Sequence, residues 1–313
     1  MRQQKGEVGL CPLCLQNKEL KEDGHLVPKF VGRWLKDTSA TGRLRNAVDA
    51  RVPRQDLMKK PFLCEDCEDR FQKLETLFSN KVFRPYIRDE LDLEGLKTGT
   101  LQPIKYGEWL LQFAMSLQWR CLAWGHISNE GLSPDQVADL KVFAEEARKY
   151  LLGSGNQPSR CETHMLFLQS VRAIDETLPD EVDERADIYL LRSVDPTIVW
   201  TANDLGVFVK LGVVVVYTSL SPVPMPAMLG TAIGEEGELV FRQEFGPFMS
   251  RFLLIDRPEQ AFRYYHVPPA QERMIEERVR SNIEAARTSL SYAASRGRDH
   301  VRMLKARRKK GGG

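Results

Sequence analysis

The spacing of apolar residues changes character along this chain. From residue 68 onward Phe71, Leu74, Leu77, Phe78 and Val82 recur at helical intervals, which predicts a helix that Pro85 stops. Residues 104–124 repeat the pattern with Trp109, Leu110, Phe113, Leu117 and Leu122. Ser133-Pro134-Asp135 reads as an N-cap followed by proline at the first helical position, opening a helix to about residue 152. Beyond residue 160 the runs become short and rich in β-branched and aromatic residues. Extended segments are expected near 165–174, 187–192, 198–201, 206–217 and 238–241, with a break at Gly212 inside the longest. After Pro268-Pro269 a helix carries Ile275, Val279, Ile283, Ala286 and Leu290 on one stripe.

The first 86 residues follow a different logic. They hold two Cys-x-x-Cys hooks, Cys11–Cys14 and Cys64–Cys67, and only two of the six cysteines lie elsewhere. Two such hooks supply the four thiolates of a closed tetrahedral Zn²⁺ site. Between them lie a short extended piece with His25, ended by Pro28, a short helix over 30–36, and a loop over 37–54. Knuckle, extended strand, loop, knuckle and helix follow one another in the order of a zinc treble clef. The expected fold class is therefore α+β. A treble-clef module over 1–86 precedes a domain over 87–268, with helices within 104–152 and a mostly antiparallel sheet at about 160–256. An amphipathic helix and basic tail over 269–313 complete the chain.

Charge refines this picture. The formal net charge is only +2, but residues 29–60 carry nine Lys/Arg against three acids. Residues 296–310 carry eight against Asp299 alone. Such clusters suit a polyanion, most simply nucleic acid. Lys29, Arg33, Arg43, Arg45, Arg54 and Lys59 are the candidate phosphate contacts; the plainer alternative is ordinary solvated charge. No signal peptide or membrane span is legible, and paired hooks without one favour a reduced, cytoplasmic setting. The apolar stripe beyond residue 270 offers a surface for oligomerisation through 270–292.

Other candidates are weaker. Trp119-Arg120 reads as a core contact with a buried ion pair, Cys121 as core, and Cys161-x-x-His164 as metal-ligand spacing with no second half. For Gln55, Asp56 and Lys59 the plain reading is a capped turn with a solvated lysine.

His25 is the sharpest candidate for chemistry. The pattern Cys-x-x-Cys, His-Leu-Val-Pro, Leu-Cys-x-x-Cys resembles the zinc-bearing HNH, or His-Me finger, nucleases. It is closer still to a group of uncharacterised bacterial proteins with His-[aliphatic]₂-Pro-Lys-Phe and Leu-Cys-x-x-Cys-Glu, matched here by His25–Phe30, Gln55-Asp56 with Lys59, Leu63–Glu68, Glu75 with Phe78, and Trp119-Arg120. The likeness covers about the first 125 residues. It implies a metal-dependent nuclease acting on nucleic acid, with His25 as general base and Glu68 with Asp56 at a Mg²⁺ or Mn²⁺ site, in bacterial defence against phage. It departs from the family at two places. Gly24 stands where a metal ligand usually precedes the histidine, and Glu68 stands where His or Asn usually follows the last hook. The competing reading is a catalytically degenerate component that binds nucleic acid or protein within a defence complex. A third is a structural scaffold.

Overall fold

The structure, a computed structural model, describes residues 7–45, 53–54, 57–94, 96, 100–125, 130–174, 178–201, 204–221, 227–265 and 267–311. It is a mixture of helices and antiparallel sheet with a four-cysteine cluster near its start. The N-terminal part opens on a hairpin of β1 (Val8–Leu10) and β2 (Asn17–Glu19), and the first hook lies between its strands. Then come β3 (Gly24–His25), α1 (Lys29–Asp37), a small pair of β4 (Leu44–Arg45) with β5 (Pro53–Arg54), and β6 (Lys59–Lys60), which pairs with β3.

Helix α2 (Glu65–Phe78) does not stop at Pro85. Two π-helical turns, Ser79–Phe83 and Tyr86–Glu90, extend it. Proline ends a helix because it lacks an N–H and its ring crowds the preceding turn. Here that turn is already widened, the Arg84 N–H reaching back to Ser79 O, so the missing donor falls where the hydrogen-bond register changes.

The helix expected over 104–124 starts later. β7 (Ile104–Tyr106) is a strand, and α3 (Trp109–Ala123) follows it. Helix α3 has buried residues all round, as befits a central helix. Helix α4 (Pro134–Leu152) is framed as its sequence predicts. The Ser133 side chain accepts from Gln136 N, Gln136 reciprocates, and Gly153 closes the helix at φ 72°.

The main sheet has five antiparallel strands in the order β12-β8-β11-β10-β9. They are β8 (Glu162–Phe167), β9 (Val194–Trp200), β10 (Leu205–Leu211), β11 (Val214–Ser219) and β12 (Ala232–Ile233). The long apolar run proves to be a hairpin that turns at Gly212, whose φ of 67° suits the first central position of a two-residue loop. The last strand, β13 (Gly237–Leu239), pairs with β7 outside this sheet.

The segment expected as a strand over 187–192 is instead helix α5 (Ala186–Arg192). Ala186, Asp187, Tyr189, Leu190 and Leu191 are all buried, and a short helix covered on most sides has no apolar periodicity to distinguish it from a buried strand. After α6 (Gly246–Arg251), a π-helical turn and α7 (Arg257–Phe262), the C-terminal stripe is spread over three helices. These are α8 (Pro269–Ser281), α9 (Ile283–Arg287) and α10 (Leu290–Gly311), with the first break at Asn282. The basic segment is thus part of α10, which packs on α5 and pairs Arg296 with Glu94, Arg302 with Glu184 and Arg308 with Asp180.

Contacts tie the N-terminal part to the rest. Arg192 donates to Leu35 O and Thr38 Oγ1, and Arg148 donates to Leu13 O. Trp34 lies against the turn at Gly212 so closely that a Cβ there would meet its ring at 2.4 Å. No described helix is long and apolar enough to cross a membrane.

Candidate metal centre and the His25 site

The first hook is shaped by its own backbone. Leu15 N donates to Cys11 O, Cys11 N donates to Gln16 O, and Leu15 adopts φ 57° to make the turn. The second hook forms the N-terminus of α2, with Cys64 as N-cap and Cys67 in the first turn. A bridge between Leu20 and Cys64, and the bond from Lys21 N to Leu63 O, bring the two hooks together.

The ligand atoms of Cys11, Cys14, Cys64 and Cys67 lie within 4.8 Å of one another, and no cysteine is in a disulfide. The Cys14 and Cys64 sulfurs are 3.8 Å apart. A tetrahedron with Zn–S bonds of about 2.3 Å has an edge of about 3.8 Å, so this spacing is consistent with structural zinc. The electrostatics also call for a cation. A hydrogen bond with Cys67 holds the Cys11 thiol down at about 4, while that contact and burial push Cys67 far up. Burial raises Cys64 as well. Four sulfurs this close cannot all ionise alone, and a divalent ion lets them. Backbone help is present too: Cys64 N donates to Cys11 Sγ at 3.5 Å, and the helix N-terminus favours negative charge.

His25 lies beside this centre on β3, paired to Lys59 of β6, and is 5% exposed. Its Nδ1 donates to Asp23 O, since a carbonyl can only accept. In the neutral ring that leaves Nε2 as the lone-pair nitrogen. The His25 carbonyl accepts from Arg120 Nη1 at 3.1 Å. Arg120, 1% exposed, also donates to Glu75 Oε1 at 2.6 Å and to Ser116 O, and it lies over the Phe71 ring. The ion pair expected for Arg120 is there. Its reach to His25, 95 residues away in sequence, had no signal in the chain.

Glu68 stands one turn into α2 and is half-buried. Its carboxylate lies against Gly24: a Cβ on that glycine would be 2.9 Å from Glu68 Oε1. Burial raises the Glu68 pKa; Arg120 pulls it down, and Glu75 pushes it up again. Asp56 lies outside the described residues. Among the described residues the four thiols are the one set of three or more His, Cys, Asp or Glu groups this close, so His25 and Glu68 are not part of a second such set.

The candidate phosphate contacts are placed variously. Lys29 pairs with Asp23. Arg33 is exposed on α1, Arg43 is half-buried, and Lys59 is exposed on β6 next to His25. The side chains of Arg45 and Arg54 lie outside the described residues. Lys60, not singled out from sequence, reaches Trp124 O at 2.9 Å and lies over the Trp124 ring.

Comparison with protein-family models, with curated proteins and with solved structures finds no match to this chain.

Proposed function

We propose that residues 1–86 form a zinc-stapled treble clef of the HNH type and that the protein acts on nucleic acid as a metal-dependent nuclease in bacterial defence. The observation that carries this reading is the placement of His25. Its ring is pinned through Nδ1 on a strand beside the N-terminal turn of α2, where Glu68 presents a carboxylate. In this reading Nε2 takes the proton from the attacking water, within reach of the exposed Lys59. A bound Mg²⁺ or Mn²⁺ would be held through the hard oxygen of Glu68, with Asp56 as the further candidate, and would supply stabilisation of the leaving oxygen. The zinc plays no part in the reaction; it ties the β1–β2 hairpin to the start of α2, the helix that carries Glu68. A reduced four-thiol centre suits the cytoplasm.

A second reading, a binding component without catalysis, is favoured by one observation: the described residues bring no third ligand to His25 and Glu68. Plasmid and RNA cleavage with Mg²⁺ or Mn²⁺ by the wild type and by His25→Ala decides between them. Metal-dependent cleavage lost in the variant supports the nuclease. Equal, salt-sensitive binding by both without cleavage by either supports the binding component.

A further inference from the structure

Helix α8 buries none of its residues. Its two central apolar side chains, Ile275 and Val279, are half-buried, and Met274 and Ile283 are 45% and 47% exposed. A helix of 13 residues is marginal in water on its own, because nucleation is unfavourable and propagation gains little per residue. The ion pair along it, Arg280 to Glu276, is exposed and adds little. The sequence nevertheless keeps Ile275 and Val279 on one side of α8, and among the described residues nothing covers them completely.

The charges on the helix indicate what covers it. Within α8, residues 269–277 carry Glu272, Glu276 and Glu277 against Arg273, whereas residues 278–281 carry Arg278 and Arg280 and no acid. One half is acidic and the other basic, and they meet between Ile275 and Val279. Two copies laid antiparallel about that point place each acidic half on the partner's basic half and bring Ile275 opposite Val279. A parallel pair would set like against like. A two-fold interface requires this self-complementarity of one patch.

We propose that α8 is a homodimerisation element that pairs antiparallel with α8 of a second copy of this chain. The patch is small, so the dimer is a weak one in reversible exchange with monomer. The proposal is independent of the nuclease reading.

Sedimentation velocity on the full chain, across a concentration series in reducing buffer with zinc, tests it. The expected result is a monomer–dimer equilibrium whose dissociation constant rises at least ~10-fold in Ile275→Asp/Val279→Asp. Because no residue of α8 is fully buried, these substitutions leave zinc content and circular dichroism unchanged. Glu276→Arg/Glu277→Arg and Arg278→Glu/Arg280→Glu each weaken the dimer alone and restore it when mixed. Monomer at every concentration overturns the proposal. So does a dimer that survives the aspartates, or mixed charge variants that associate no better than either alone.

Discussion

The carboxylate of Glu68 occupies the space that any side chain on residue 24 would need. A Cβ on Gly24 would lie 2.9 Å from Glu68 Oε1 and 2.9 Å from the Lys60 carbonyl. Gly24 and Glu68 thus compete for one space, and the glycine is what leaves room for the carboxylate. Gly24→Ala must push Glu68 aside and also strain the β3–β6 pairing, because the second neighbour is backbone. We expect it to lower stability by ~1–3 kcal/mol, the usual range for overpacking. Gly24→Ala/Glu68→Ala removes one clash of the two, so a double-mutant cycle in urea should give a coupling above ~0.5 kcal/mol. Strict additivity would show that the two residues do not meet in solution.

The four-cysteine centre leads to a stoichiometric expectation. Purified under reducing conditions, the chain should carry one zinc ion by elemental analysis. A strong chelator, or Cys11→Ser or Cys67→Ser, should release it and expose residues 7–78 to limited proteolysis, since the hooks are what joins β1, β2 and α2. The five-stranded sheet draws its burial from its own apolar residues and should retain its strand signal in circular dichroism. Full protease resistance of a metal-free chain would contradict a structural role for the ion.

Legibility followed the range of the forces involved. The cysteine hooks and the Ser133 cap of α4 are local devices, each written within a few residues, and both were readable, whereas Gly212 signalled a break in one strand and not the reversal into a hairpin. What failed was decided at a distance. The 187–192 segment is a helix packed between α10 and the π-helical turn at Phe252–Asp256, neighbours that a window of six residues does not report. Helix α2 outlasts Pro85 because a π turn precedes it, and nothing in residues 79–83 announces that turn. The site divides in the same way. His25 and Glu68 stood out through the resemblance of the motifs around them, whereas the grip of Arg120 on the His25 carbonyl comes from α3 and exists only once the fold brings the two together.

The sheet contains a group that should set an acid limit to stability. His164 is fully buried on β8. The Thr231 hydroxyl donates to Met228 O, so it accepts from His164 Nδ1, which leaves Nε2 as a buried lone pair without a hydrogen-bond partner. Burial lowers the pKa of the ring below 6.5, partly offset by Glu162 nearby. Below 6.5 the unfolded chain binds a proton here that the folded chain takes up only at lower pH, so stability falls as pH drops through that window. Asp187 works the other way, since burial raises its carboxyl to about 6. The two are separated by comparing wild type with His164→Gln: chemical denaturation at pH 7.5 and at about 5.5 should show a smaller loss on acidification in the variant. An identical loss in both would place the sensitivity elsewhere.

Gly297 offers the sharpest test of how the C-terminal helix is seated. It lies inside α10, where helix propensity alone predicts that alanine would stabilise by ~1 kcal/mol. Packing predicts the opposite sign. A Cβ at this position would fall 1.8 Å from Asp187 Oδ2, on a carboxylate held in place by Ser170 Oγ at 2.9 Å and Val171 N at 2.8 Å. Asp187 cannot turn away without stranding those two buried donors, so α10 itself must lift from α5. That withdraws Ala294 and Val301 from burial and loosens the Arg296–Glu94 and Arg302–Glu184 pairs. The loss of packing outweighs the gain in propensity, and Gly297→Ala should lower stability by more than ~2 kcal/mol and open residues 290–311 to proteolysis. Gly297→Ala and Asp187→Ala should couple in a double-mutant cycle, the pair costing less than the sum of the singles, because the nearest obstruction is gone even though the Asp187 Cβ still lies 2.6 Å away and the two donors lose their acceptor. A stabilised single variant would mean that α10 does not rest on Asp187.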